Sequence, residues 1–123
     1  MRRLTPREIA GYDLVPADIA RRARVQKVPV LSPGMRGMTL GRLIFVLRDG
    51  DRSGRRVLLA HELVHVEQYA ELGTARFLRR YVGEYFVNLW RLRNHRRAYL
   101  AISLEAEARA AASRWAEGSD ELL

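Results

Sequence analysis

Apolar positions along the chain repeat with two different periods, and the change of period marks out the elements. Leu58, His61, His65, Tyr69 and Leu72 form one helical stripe, and Leu59, Leu63, Val66 and Ala70 form another. The spacing predicts a helix over about 55–72 that is apolar nearly all round and therefore central. Ser53 is its expected N-cap and Gly73 its stop. Phe77, Tyr81, Tyr85, Leu89 and Leu92 then recur at helical spacing beside Arg79, Arg80, Arg91 and Arg93, predicting a helix over about 74–94, capped by Thr74, with its aromatic stripe in the core. A last, alanine-rich helix is expected over about 98–117, after a turn at "RNHRR".

Upstream of the central helix the pattern changes. "QKVPVL" and "MTLGRLIFVLRDG" read as strands within about 26–49, separated by the turn "SPGMRG" and forming a hairpin or small sheet. Before them lie a capped start at Thr5-Pro6 and a helix from about Pro16 to Val25. The expected class is α+β and mostly helical, with the small sheet preceding the central helix. At 123 residues it is a single domain, 1–123.

Composition narrows the chemistry. With no cysteine, disulfides are excluded and any metal ligands must be His or carboxylate. Neither a signal peptide nor an apolar run of membrane-spanning length is written in the chain, so the expected location is cytoplasmic, with a specialised export route leaving no trace in the residues. The formal net charge is +8 and Lys27 is the only lysine, so arginine carries the excess. The arginines are scattered without a recognition module around them. They read as solvated faces, and no specific nucleic-acid partner is expected. Peripheral membrane contact by the aromatic and arginine-rich helix is the less favoured reading of that segment.

The chemistry sits in "LLAHELVHVEQY", Leu58 to Tyr69. His61 and His65 are four apart and share a helix face, so one ion can satisfy two imidazoles that would otherwise each need a polar partner in the core. The H-E-x-x-H spacing is that of zinc-dependent peptidases, in which the intervening acid, Glu62, is rotated about 100° away and serves as general base. A third ligand is needed. Glu71, on the same helix, points away; Glu84 and His95 are further candidates. Glu105 and Glu107 lie on the last helix beside Leu104 and small alanines that allow two helices to approach closely. Two apart on a helix, these acids face about 200° from each other and cannot both reach one metal.

"LLAHELVHVEQY" followed by "ISLEAEARAAA" resembles the small gluzincin-type metallopeptidase domains, particularly the DUF4157-like group found with bacterial toxins and contractile injection systems. In that group an "AHELxHxxQ" helix precedes an "ExEAD" helix. The likeness covers about Arg56 to Ala112, and His61, Glu62, His65 and Gln68 match the first motif residue by residue. It implies a minimal zincin-like fold, Zn²⁺ held by His61, His65 and Glu105, Glu62 as catalytic base, and a peptide or protein substrate. Its register puts Arg109 where an acidic residue supporting a ligand imidazole is expected, and Glu107 is the runner-up ligand. The strand "LGRLIFVLR" is the expected edge for binding an extended peptide, and Tyr99 and His95 are candidates for the oxyanion donor. A non-catalytic zincin-fold module that binds or assembles with a toxin or secretion system is the alternative.

Overall fold

A computed structural model describes residues 1–121 and has an α+β architecture. In chain order the elements are β1 (Arg2–Arg3), α1 (Pro6–Gly11), α2 (Ala17–Arg22), β2 (Arg24–Lys27), β3 (Gly37–Leu40), β4 (Leu43–Val46), α3 (Val57–Leu72), α4 (Thr74–Leu92), α5 (His95–Leu100) and α6 (Ser103–Glu121). The four strands form one sheet in the order β1-β2-β4-β3.

The start of α1 is written locally. Thr5 accepts from the Glu8 amide while the Glu8 carboxylate accepts from the Thr5 amide, a capping box with Pro6 in the first turn. Glu8 is fully buried because Arg2 meets it with two nitrogens, Nη1 at 2.7 Å and Nη2 at 3.0 Å, while also holding Asp49 through Nε and Nη2, both at 2.7 Å. One guanidinium thus ties β1 to α1 and to the loop after β4.

The sheet differs from the expected hairpin. β2 pairs in parallel with β4, and β4 pairs with β3 in antiparallel fashion. The run "MTLGRLIFVL" is two strands, because Leu40 pairs with Leu43 across Gly41 and Arg42. Gly41 has φ 63°, the left-handed geometry that a two-residue hairpin turn requires at its first position. "VPVL" lies outside the sheet, and β2 begins two residues before Gln26 because α2 already stops at Arg22.

Ile44 and Val46 of β4, Val25 of β2, and Leu59, Leu63 and Val66 of α3 are buried in one core with Ala108 and Ala112 of α6. The two alanines let α6 lie close against α3, its most extensive neighbour. Tyr69, Phe77, Ile102 and Leu104 form a second, smaller core between α3, α4 and α6.

Several expected boundaries change. α3 starts at Val57 with Arg56 at its N-cap and no side-chain cap; the Ser53 hydroxyl instead donates to Asp51 at 2.7 Å and accepts from the Arg55 amide at 3.2 Å. Gly73 closes α3 with φ 81° and also precedes α4, where Thr74 makes no cap. "RNHRR" holds a helix start, since Asn94 accepts from the Arg97 amide at 2.9 Å and α5 follows. The last helix begins at Ser103, five residues later than expected, because Glu84 of α4 accepts from both the Ser103 amide (3.0 Å) and its hydroxyl (2.8 Å). The cap comes from another helix and leaves no local signal.

The aromatic stripe of α4 is the largest departure. Only Phe77 is buried; Tyr81, Tyr85 and Leu89 are half-buried and Leu92 is exposed. At 19 residues α4 runs about 28 Å. Only its first turns lie against the core, and the rest packs mainly on α5.

Candidate metal centre

α3 presents His61 and His65 one turn apart, and α6 brings Glu105 against them. His61 Nε2 lies 3.0 Å from Glu105 Oε2, His65 Nε2 lies 2.8 Å from Glu105 Oε1, and the two Nε2 atoms are 3.2 Å apart. One ligand atom from each residue fits within 4.8 Å of the others. His65 and Glu105 are buried and His61 is half-buried, so the cluster opens to solvent on the His61 side.

The donors suit a metal. Gln68 Nε2 donates to the Leu104 carbonyl at 3.1 Å and to Glu107 at 3.2 Å, so its Oε1 faces His65 Nδ1 at 2.8 Å. An amide oxygen can only accept, which puts a proton on Nδ1, so that loss of the Nε2 proton shared with Glu105 frees the Nε2 lone pair for an ion. Two imidazoles and a carboxylate are a ligand set for a divalent cation. These three residues could therefore hold a metal, whose identity is a separate matter.

Charge within the cluster is strongly coupled. Burial pushes the Glu105 carboxyl up, but hydrogen bonds from His61 and His65 outweigh it and hold the group well below the usual carboxylate range. Burial disfavours the His65 cation, yet Glu105 more than offsets this and raises its pKa. Tyr81 of α4 donates to Glu105 Oε1 at 2.9 Å, which fixes the carboxylate from a third helix. The sequence placed Tyr81 in a core stripe, and its spacing from Phe77 carried no sign of this contact.

Glu62 lies beside the cluster and outside the ligand set. It is buried against β3, where the Thr39 hydroxyl donates to Oε2 at 2.6 Å. A Cβ on Gly37 would come within 3.2 Å of Glu62 Oε1, so the absent side chain is what admits the carboxylate to the strand. Burial raises the Glu62 pKa, and Tyr69 beside it is pushed up to about 12 by its own burial and by Glu62.

Two cavities flank Glu62. One, of about 350 Å³, is largely apolar; its wall includes Met38, Leu40, Tyr69, Phe77, Tyr81 and Tyr85, and His65 and Glu105 also line it. The other, of about 400 Å³, is bounded by His61, Leu58, Arg109 and residues 34–37. Tyr99 borders both, whereas His95 lines only the apolar one and pairs through Nδ1 with the Tyr85 hydroxyl at 2.6 Å.

The remaining candidates lie elsewhere. Glu107 is 60% exposed and touches Gln68 and Arg80 and neither imidazole. Glu71 is exposed, and Glu84 is committed to Arg80 and to the start of α6. Arg109 donates through Nη2 to the Leu100 carbonyl at 2.5 Å, and its buried Nη1 meets no acceptor among the described residues. The support expected from an acid at position 109 comes to His65 from Gln68 instead. The strand expected to offer a free edge also moves: "LIFV" is β4, between β2 and β3, and the edge strand beside Glu62 is β3. Arg36 O accepts from Leu47 N, so alternation turns the backbone groups of Gly37 and Thr39 outward, and Tyr69 donates to Thr39 O at 3.3 Å.

Residues 11–73 match the eCIS core domain, the core domain of extracellular contractile injection systems, and this is just over half of the chain. The chain belongs to the eCIS core domain family. The matched part of this family member runs from the end of α1 through α2, the strands β2, β3 and β4 and all of α3, with His61, Glu62 and His65 inside it and β1 and Glu105 outside. No curated protein and no solved structure matches the chain. Among the described residues no helix is long and apolar enough to cross a membrane.

Proposed function

We propose that this eCIS core domain is a zinc-dependent peptidase of minimal zincin-like fold, with Zn²⁺ on His61, His65 and Glu105. The observation that carries the reading is the convergence of those three ligand atoms beside Glu62, a buried carboxylate that stands outside the set. Bound zinc supplies a Lewis acid for the scissile carbonyl and a water whose pKa falls to about 7. Glu62 takes the proton of the attacking water and delivers it to the leaving amine. Thr39 holds that carboxylate in place, and Gln68 and Tyr81 hold the ligands. The outward backbone of Gly37 and Thr39 pairs with an extended substrate as an added strand. Tyr99, on the border of both cavities, is the candidate oxyanion donor.

Membership of an injection-system family and an arginine at position 109 favour a second reading, a binding or assembly module that keeps the metal core without turnover. Zinc-loaded wild type and Glu62→Gln incubated with mixed peptide libraries separate the two. Glu62→Gln keeps size and zinc but removes the base, so cleavage should fall by about 10²–10⁴-fold. Cleavage that survives Glu62→Gln removes the proposed mechanism, and a zinc-loaded wild type inert on every library supports the module.

A further inference from the structure

The outer face of α4 and α5 concentrates charge and exposed apolar surface in one place. Residues 74–100 hold seven arginines, Arg76, Arg79, Arg80, Arg91, Arg93, Arg96 and Arg97, and one acid, Glu84. That is a net +6 of the chain's +8, in less than a quarter of its length. All seven arginines are exposed. Glu84 is already engaged by Arg80 and Ser103, so no acidic side chain of these two helices offsets the others.

The same face carries bulky apolar side chains in solvent: Val82 at 46% exposure, Phe86 at 61%, Val87 at 57% and Trp90 at 72%. Val82, Phe86 and Trp90 follow one another at four-residue spacing, a stripe about 12 Å long, with Arg79 and Arg93 on the same face at its two ends. The Arg93 guanidinium lies 4.6 Å over the Trp90 ring, an arrangement in which an apolar body can bury while the charge stays at a polar boundary.

We propose that this face of α4 and α5 docks on an anionic phospholipid surface, with Phe86 and Trp90 entering the headgroup boundary and the arginines meeting lipid phosphates. The charge balance selects a polyanionic surface. The unbroken aliphatic and aromatic stripe selects lipid over nucleic acid, whose backbone offers nothing for Val82 and Val87 to bury against. Val82, at one end of the stripe, also borders the apolar cavity beside Glu62, whereas Phe86 and Trp90 line neither of the cavities that flank Glu62, so the test rests on those two.

The test is co-sedimentation of the full chain with vesicles of phosphatidylcholine, with or without about one-third phosphatidylglycerol. The anionic vesicles should bind at least about tenfold more tightly, with the advantage shrinking as salt is raised. Phe86→Ser with Trp90→Ser should weaken binding by about tenfold or more, and Arg79→Gln or Arg93→Gln by about fivefold each. These residues are exposed, so circular dichroism and melting temperature should stay those of the wild type. Equal binding to neutral and anionic vesicles overturns the proposal, as does binding unchanged in Phe86→Ser/Trp90→Ser. So does a vesicle-indifferent dimer that dissociates in that variant, which would assign the face to a second copy of the chain.

Discussion

Gln68 is the residue whose replacement separates the metal centre from the core that surrounds it. It is buried and makes three contacts: it accepts from His65 Nδ1 at 2.8 Å and donates to Leu104 O at 3.1 Å and to Glu107 at 3.2 Å. Gln68→Leu fills the same space and leaves the His65 Nδ1–H and the Leu104 carbonyl without that partner, each at a cost of about 1–3 kcal/mol. The Glu107 contact adds little because that side chain is 60% exposed. Leu104 O retains its partner within the helix, so a total of about 2–3 kcal/mol is expected, which lowers Tm by about 8–12 °C in a domain of this size. Zinc affinity, measured by competition with a chromophoric chelator, should fall by about 10–100-fold because the imidazole loses its fixed tautomer and orientation. Gln68→Glu keeps the acceptor toward His65 and loses the donor toward Leu104, so it should lower Tm while holding zinc nearly as the wild type does. If Gln68→Leu loses the expected stability but binds zinc within about threefold of wild type, Gln68 is a packing residue and the argument from the tautomer fails.

Two further outcomes follow from the geometry. Glu105→Ala should abolish stoichiometric zinc binding, whereas Glu107→Ala, whose carboxylate reaches only Gln68 and Arg80, should weaken it by a much smaller factor; the reverse ranking in a metal titration would move the ligand role to Glu107. Arg2→Met should cost about 3 kcal/mol by leaving the buried Glu8 charge unpaired. In the wild type, burial pushes Glu8 up but Arg2 and Thr5 hold it below its ordinary 4.5, and Arg2 holds Asp49 below its ordinary 3.8. Carboxyls depressed in the folded state contribute stability that is full above about pH 4.5 and is lost as the pH falls through their folded values. Urea midpoints taken at falling pH should therefore drop in this acid window for the wild type and stay flatter for Arg2→Met.

The motif helix was legible because every relevant signal was local: apolar residues at helical spacing, two histidines four apart and a glycine stop. The approach of the last helix was legible from Ala108 and Ala112, small residues beside an acid that permit close packing. Other features depended on contacts between residues far apart in sequence. Ser103 is capped by Glu84, Glu105 is held by Tyr81, and Glu62 is positioned by Thr39 and by the side chain that Gly37 lacks. No window of the sequence contains both members of these pairs except by accident. The α4 stripe misled for a different reason. Periodicity shows that a helix has an apolar face, but whether another element covers that face depends on how far the helix outruns the core. Here Phe77 is covered, whereas Phe86 and Trp90 are not.

Anomalous scattering from crystals grown with zinc, collected on both sides of the zinc edge, tests the central claim most directly. The account predicts one peak per chain that appears only above the edge, at about 2.0–2.2 Å from His61 Nε2, His65 Nε2 and a Glu105 carboxylate oxygen. A chain that takes up no zinc, or a peak away from these three residues, would contradict it.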